Sequence, residues 1–116
     1  MFWYLATVYT SHPDGFERAF IEASENAALL VRHGLPIFCP IAHTHPMSVH
    51  GGLPPTGHDF WMRVDEPFVE AAHGLIVCKM PNWENSRGIA HEIKKFTAAR
   101  KRVVWMRPGM IPGEFL

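Results

Sequence analysis

Short apolar runs rich in strand formers alternate along this chain with longer stretches of helical periodicity, which predicts an α/β domain built on a parallel sheet. Three observations carry that reading. Phe2 to Val8 is apolar without alternation, as in a strand buried on both faces. Phe16, Ala19, Phe20, Ala23, Ala27, Leu30 and Val31 recur at the spacing of one helix face. The order strand, helix, strand then repeats, and parallel strands joined in this way cross over right-handed.

The elements follow in order. Phe2–Val8 is the first strand, broken by Ser11-His-Pro-Asp-Gly15. Asp14 is placed to cap the helix that starts at Phe16, and Gly34 follows its end. Pro36 to Ile41 reads as a second short strand. Ala42 to Gly57, with His43, His45, His50 and several prolines and glycines, reads as a long loop, a kind that tends to be functional in a small domain. A helical stretch runs from about His58 to His73, in which Pro67 either kinks the helix or sits in the first turn of a shorter one capped by Asp65. Gly74 to Lys79 is a third strand, Met80 to Arg87 a loop, and Ile89, Ile93 and Phe96 mark another helix. Arg102 to Met106 is the last strand, before an irregular tail with Pro108 and Pro112. The sum is a flavodoxin-like three-layer sandwich with a parallel sheet of four to five strands, one domain over residues 1–116.

Composition narrows the function. With 116 residues, 47% of them hydrophobic, the chain can bury a core. Eleven basic residues against eleven acidic ones leave no basic footprint for a nucleic-acid backbone. No apolar run approaches the length of a membrane span, and the N-terminal segment lacks the basic start and cleavage site of a signal peptide. Cys39 and Cys78 each sit in an apolar run, as core residues rather than a disulfide framework, so a cytoplasmic compartment is expected.

Ligands of such sheets bind at the carboxyl ends of the strands, where strand order reverses. No G-x-G-x-x-G and no P-loop lysine is present. The informative stretch is Asn85-Ser-Arg-Gly-Ile-Ala-His-Glu92. Asn85 or Ser86 can cap a helix whose free N–H groups suit a single phosphate. Gly88 and Glu92 stack on one face, and the missing side chain at Gly88 leaves room above a carboxylate at the border of the apolar stripe. The plainer alternative is a simple cap, with Glu92 paired to Lys95.

These residues, with the opening Phe2-Trp-Tyr-Leu-Ala6 and with Asp65 ahead of the third strand, resemble the nucleoside 2-deoxyribosyltransferase superfamily, which includes the 2'-deoxynucleoside 5'-phosphate N-hydrolases. Tyr9-Thr-Ser-His-Pro13, Ala42-His-Thr-His-Pro46 and Pro81-x-Trp-x-x-Ser-x-Gly88 are similar to a family of small uncharacterised bacterial proteins within it, in order over nearly the whole chain. The resemblance implies that Glu92 is a nucleophile attacking C1' of the sugar, that Asp65 assists proton transfer and that Tyr4 orients Glu92. It places a 5'-phosphate at Ser86 and Gly88, and it puts Ala6, Tyr9, His43, His45 and Trp83 among the substrate-binding residues. It further implies a nucleotide as the small-molecule partner, no cofactor, and a homodimer or homotetramer.

Departures stand beside it. Transferases of that superfamily usually continue Glu-x-Gly-x-Ala, whereas Ile93, Lys94 and Lys95 follow Glu92 here; the lysines either form a solvated face or add positive potential near a phosphate. Ser86, six residues before the carboxylate, resembles the members that take phosphate-bearing substrates, where nucleoside transferases tend to have Asp, so the resemblance implies a nucleotide rather than a free nucleoside. Asp65 has an alternative reading as an N-cap only. An extended His43-x-His45 would put both rings on one side, with His50 or His58 to close a zinc site, but no cysteine joins them and no metal is expected. Trp61 and Trp83 would stack a base or lie in a subunit interface. A binding or sensing module of the same fold, without turnover, is the alternative function.

Overall fold

The computed structural model describes all residues 1–116. Four strands, β1 (Trp3–Ala6), β2 (Ile37–Phe38), β3 (Gly74–Cys78) and β4 (Arg102–Met106), form one sheet in the order β2-β1-β3-β4. Every pairing is parallel, with Trp3 opposite Ile37 and Gly74, and Gly74 opposite Arg102. Four α-helices complete it: α1 (Phe16–Arg32), α2 (Pro40–Gly51), α3 (His58–Ala71) and α4 (Arg87–Ala98). The architecture is the flavodoxin-like sandwich that the element order predicts. No helix is long and apolar enough to cross a membrane.

All residues of β1 and β3 are buried, as strands covered on both faces must be. Right-handed crossovers put α1, which joins β1 to β2, and α4, which joins β3 to β4, on opposite faces. α2 packs on α1, and α3 on α4. Tyr4, Leu5, Leu30, Leu75, Ile76, Ile89, Phe96 and Met106 are fully buried between the layers. Gly74 is fixed by packing: a Cβ there would collide with the Trp3 ring and meet the Arg102 carbonyl at 3.0 Å.

The segment expected as a loop from Ala42 to Gly57 is largely helical. Pro40 occupies the first turn of α2, where its missing N–H costs nothing, and Gly52 ends the helix in the left-handed region at φ 72°. Pro46 lies inside it. The prolines therefore start and tolerate the helix rather than break it, and only residues 52–57 remain irregular. The same Pro40 cuts β2 to two residues, against the six expected.

Two capping expectations fail. Gly15, at φ 94°, stands at the N-cap of α1 with no side-chain cap, and the Asp14 N–H instead donates to His12 Nδ1 at 3.0 Å. α3 continues unbroken from His58 through Pro67 to Ala71, so Asp65 is a buried mid-helix residue and not an N-cap.

Candidate functional site

The reversal of strand order between β1 and β3 opens a crevice at their carboxyl ends. A cavity of about 340 Å³ fills it, within the range of small-molecule sites. Thr7, Tyr9, Thr10 and Ser11 enter it from beyond β1, and Thr44 and Ser48 from α2. His58, Trp61, Met62 and Asp65 come from α3; Ser86, Arg87, Gly88 and Glu92 from the start of α4.

At the α4 end the cap is formed as the sequence predicts. The Ile89 N–H donates to Ser86 Oγ at 3.2 Å, and the Ala90 N–H to the Ser86 carbonyl at 3.1 Å. The Arg87 and Gly88 N–H groups, with no preceding turn to bond to, stay free at the cavity edge. A Cβ at Gly88 would meet nothing nearer than Ser86 Oγ at 3.9 Å, so its absence serves open space rather than packing. The rim is tied across the crevice: Ser11 Oγ donates to the Asn82 carbonyl at 3.3 Å and Asn82 Nδ2 to the Ser11 carbonyl at 3.0 Å.

Two carboxyl groups occupy the interior. Glu92 is 5% exposed and Asp65 4%. Burial pushes Glu92 up to about 8, with the Asp65 charge adding to the rise, and burial pushes Asp65 up to about 7. Tyr4, on β1 beneath them, has its ring between Phe38 and Phe96, each 5.5 Å away centroid to centroid. Its hydroxyl lies beside Glu92 and pulls that carboxyl back down against burial, yet closes no hydrogen bond of standard geometry. The Tyr4 phenol is itself driven far up, first by burial and then by Glu92 and Asp65.

Glu92 does not pair with Lys95. Lys95 Nζ reaches Glu66 Oε1 at 3.0 Å on the exposed side of α3 and α4, and Lys94 is also exposed. The lysines form a solvated face.

The expected site residues thus divide. Glu92, Asp65, Ser86, Gly88 and Tyr9 line the cavity, with Tyr4 directly beneath. Ala6 is buried in β1 and does not line it. His43 is exposed and packs edge-on against Phe38 and Phe68, at 5.5 and 5.8 Å. His45 is buried and reaches the cavity only through Tyr9. Trp83 packs on Trp105 at 5.6 Å outside the cavity, leaving Trp61 as the tryptophan that lines it. Because α2 is helical, two positions separate His43 and His45 by about 200° around its axis, and the rings do not converge on a metal.

The sequence reading missed Thr7, Thr44, Ser48 and Arg87 as cavity residues. Thr44 and Ser48 are four apart, a signal available only once α2 is taken as a helix. The model of a domain of unknown function, DUF1937, matches residues 2–108. The chain belongs to that family. No curated protein matches it. What this DUF1937 domain offers chemically is a walled crevice with two free helix N–H groups at one side and a buried pair of carboxyls titrating near neutrality at the bottom. Such a pair suits proton transfer and covalent catalysis.

Proposed function

We propose that this domain cleaves the N-glycosidic bond of a nucleoside or deoxynucleoside 5'-monophosphate, by hydrolysis or base transfer, through Glu92 as nucleophile. One observation carries the reading. The buried side-chain polar atoms that lack a partner are Tyr4 Oη, Thr7 Oγ1 and Asp65 Oδ1, and all belong to this one site. Buried polar groups are ordinarily satisfied, so the two orphans that line the cavity, Thr7 Oγ1 and Asp65 Oδ1, call for a polar ligand such as a sugar.

The chemistry follows from the arrangement. Asp65, near its midpoint at neutral pH, carries a proton it can give to the departing base. Glu92 attacks C1' as the C1'–N bond breaks, forming a glycosyl ester that water or a second base resolves. Positive charge developing on the sugar and the neighbouring Tyr4 hydroxyl both favour the ionised form of Glu92. The 5'-phosphate sits at the α4 N-terminus, against the Arg87 and Gly88 N–H groups, with Ser86 beside it. The same resemblance that suggests this chemistry suggests a homodimer or homotetramer, and cysteines placed as core residues suggest a cytoplasmic compartment.

The raised Glu92 favours one other reading, a nucleotide-binding module that uses the protonated carboxyl as a donor. Base release from a panel of nucleoside and deoxynucleoside 5'-monophosphates separates the two. Release by the wild type and none by Glu92→Gln, with nucleotide still bound by the variant, is the expected result. Binding without release from any substrate, with or without an acceptor base, would leave only the binding module.

A further inference from the structure

A second set of groups meets the same cavity at Tyr9, with His45 and Glu17 behind it. The Tyr9 hydroxyl is 2.7 Å from His45 Nδ1, and His45 Nε2 is 3.0 Å from Glu17 Oε2. A carboxylate only accepts, so Nε2 carries a proton, and in the neutral ring Nδ1 accepts from the Tyr9 hydroxyl. The tyrosine oxygen is left with its lone pairs for the cavity that Tyr9 lines.

The alignment is held on both rings. His45 stacks on Phe20 at 4.4 Å and 21°, and Tyr9 on Phe16 at 4.6 Å and 23°. The His45 side chain is 6% exposed, whereas that of Glu17 is 71% exposed. The array therefore runs from the crevice, through a buried imidazole, to bulk water. An oriented hydroxyl, imidazole and carboxylate in sequence is the arrangement in which the imidazole takes the hydroxyl proton and the carboxylate stabilises the imidazolium. A phenylalanine at position 9 would keep the ring stacking and remove only the hydroxyl that His45 Nδ1 meets.

We propose that Tyr9 is the general base of the second half-reaction, with His45 and Glu17 as its positioning and proton-accepting support. The step rests on the glycosyl–Glu92 reading above. Water attacks C1', and its oxygen forms a bond there as the C1'–Oε bond to Glu92 breaks and returns the carboxylate. The proton lost by water passes to the Tyr9 oxygen, and the Tyr9 proton passes to His45 Nδ1, giving an imidazolium paired with Glu17. The proton then leaves to solvent from the exposed end.

The test is base-release kinetics of Tyr9→Phe and Glu17→Gln with and without azide, an anionic nucleophile that needs no base. Tyr9→Phe is expected to release about one equivalent of base in a burst and then turn over about 100-fold more slowly, since a general base contributes on that order. Glu17→Gln is expected to slow the same phase about tenfold at unchanged kcat/KM. Azide is expected to restore turnover in both and yield the glycosyl azide. Wild-type rates in both variants, or a loss that azide does not restore, would overturn the relay while release abolished by Glu92→Gln still upheld the glycosidic reading. No release by the wild type would remove that reading, and the relay with it.

Discussion

Glu92 makes the protein's stability depend on pH in a direction that can be measured before any substrate is known. Its carboxyl ionises at an ordinary value of 4.5 in the unfolded chain and at about 8 in the fold. Between those values the folded state holds a proton that the unfolded state has lost, so stability falls as pH rises. Each such group contributes a slope of about 1.4 kcal/mol per pH unit. Asp65, shifted from 3.8 to about 7, contributes a second, so from about pH 5.5 to 6.5 the wild type loses about 2.7 kcal/mol. Glu92→Gln removes one of the two, and its slope is expected to be about half as steep. The remaining ionisable groups act alike in both proteins and cancel in the difference. Urea unfolding followed by tryptophan fluorescence at several pH values reads both slopes. Over about one unit the divergence amounts to about 1.4 kcal/mol, or roughly 5 °C in Tm for a domain of this size. Parallel slopes, or a steeper one in the variant, would refute the claim that Glu92 is buried with its proton.

Three further outcomes are expected. Gly88→Ala gains helix propensity without a clash and is expected to stabilise the fold by about 0.5 kcal/mol while weakening nucleotide binding, read by thermal melts with and without ligand. Gly74→Ala pushes a methyl into the Trp3 ring between β1 and β4 and is expected to cost about 1–3 kcal/mol in urea unfolding. Lys95→Ala breaks only an exposed pair with Glu66 and is expected to change stability by less than about 0.5 kcal/mol, with the Glu92 titration unmoved.

What was legible in the sequence divides by the kind of signal. β1, β3, α1 and α4 carry dense apolar patterns, and the Ser86–Glu92 junction combines a cap residue, a glycine and a carboxylate at one helix turn. Period and cap chemistry are local, so these could be read. α2 could not, because it has no apolar stripe and its prolines at 40 and 46 mimic loop punctuation. With α2 missed, Thr44 and Ser48 were invisible, and His43 and His45 were wrongly placed on one side. Asp65 had two local readings, and only the packing of α3 against α4 decides for the buried one. The links of Tyr9 to His45 and of His45 to Glu17 join residues far apart in sequence, which no spacing rule reaches.

The two sides of the crevice are anchored unequally. The reciprocal bonds between Ser11 and Asn82 join the loops after β1 and β3 directly to each other. On the other side the 52–57 segment is held at its ends by the Leu53 N–H to the Met47 carbonyl at 3.5 Å and the Trp61 N–H to the Gly57 carbonyl at 3.1 Å, and between them by the Pro54 carbonyl, which takes both Ser48 Oγ at 3.3 Å and Trp61 Nε1 at 2.9 Å. A guest that competes for either donor frees the middle of the segment while its ends stay bonded. Trp61 therefore couples the two, since its indole belongs to the cavity lining and to the latch together.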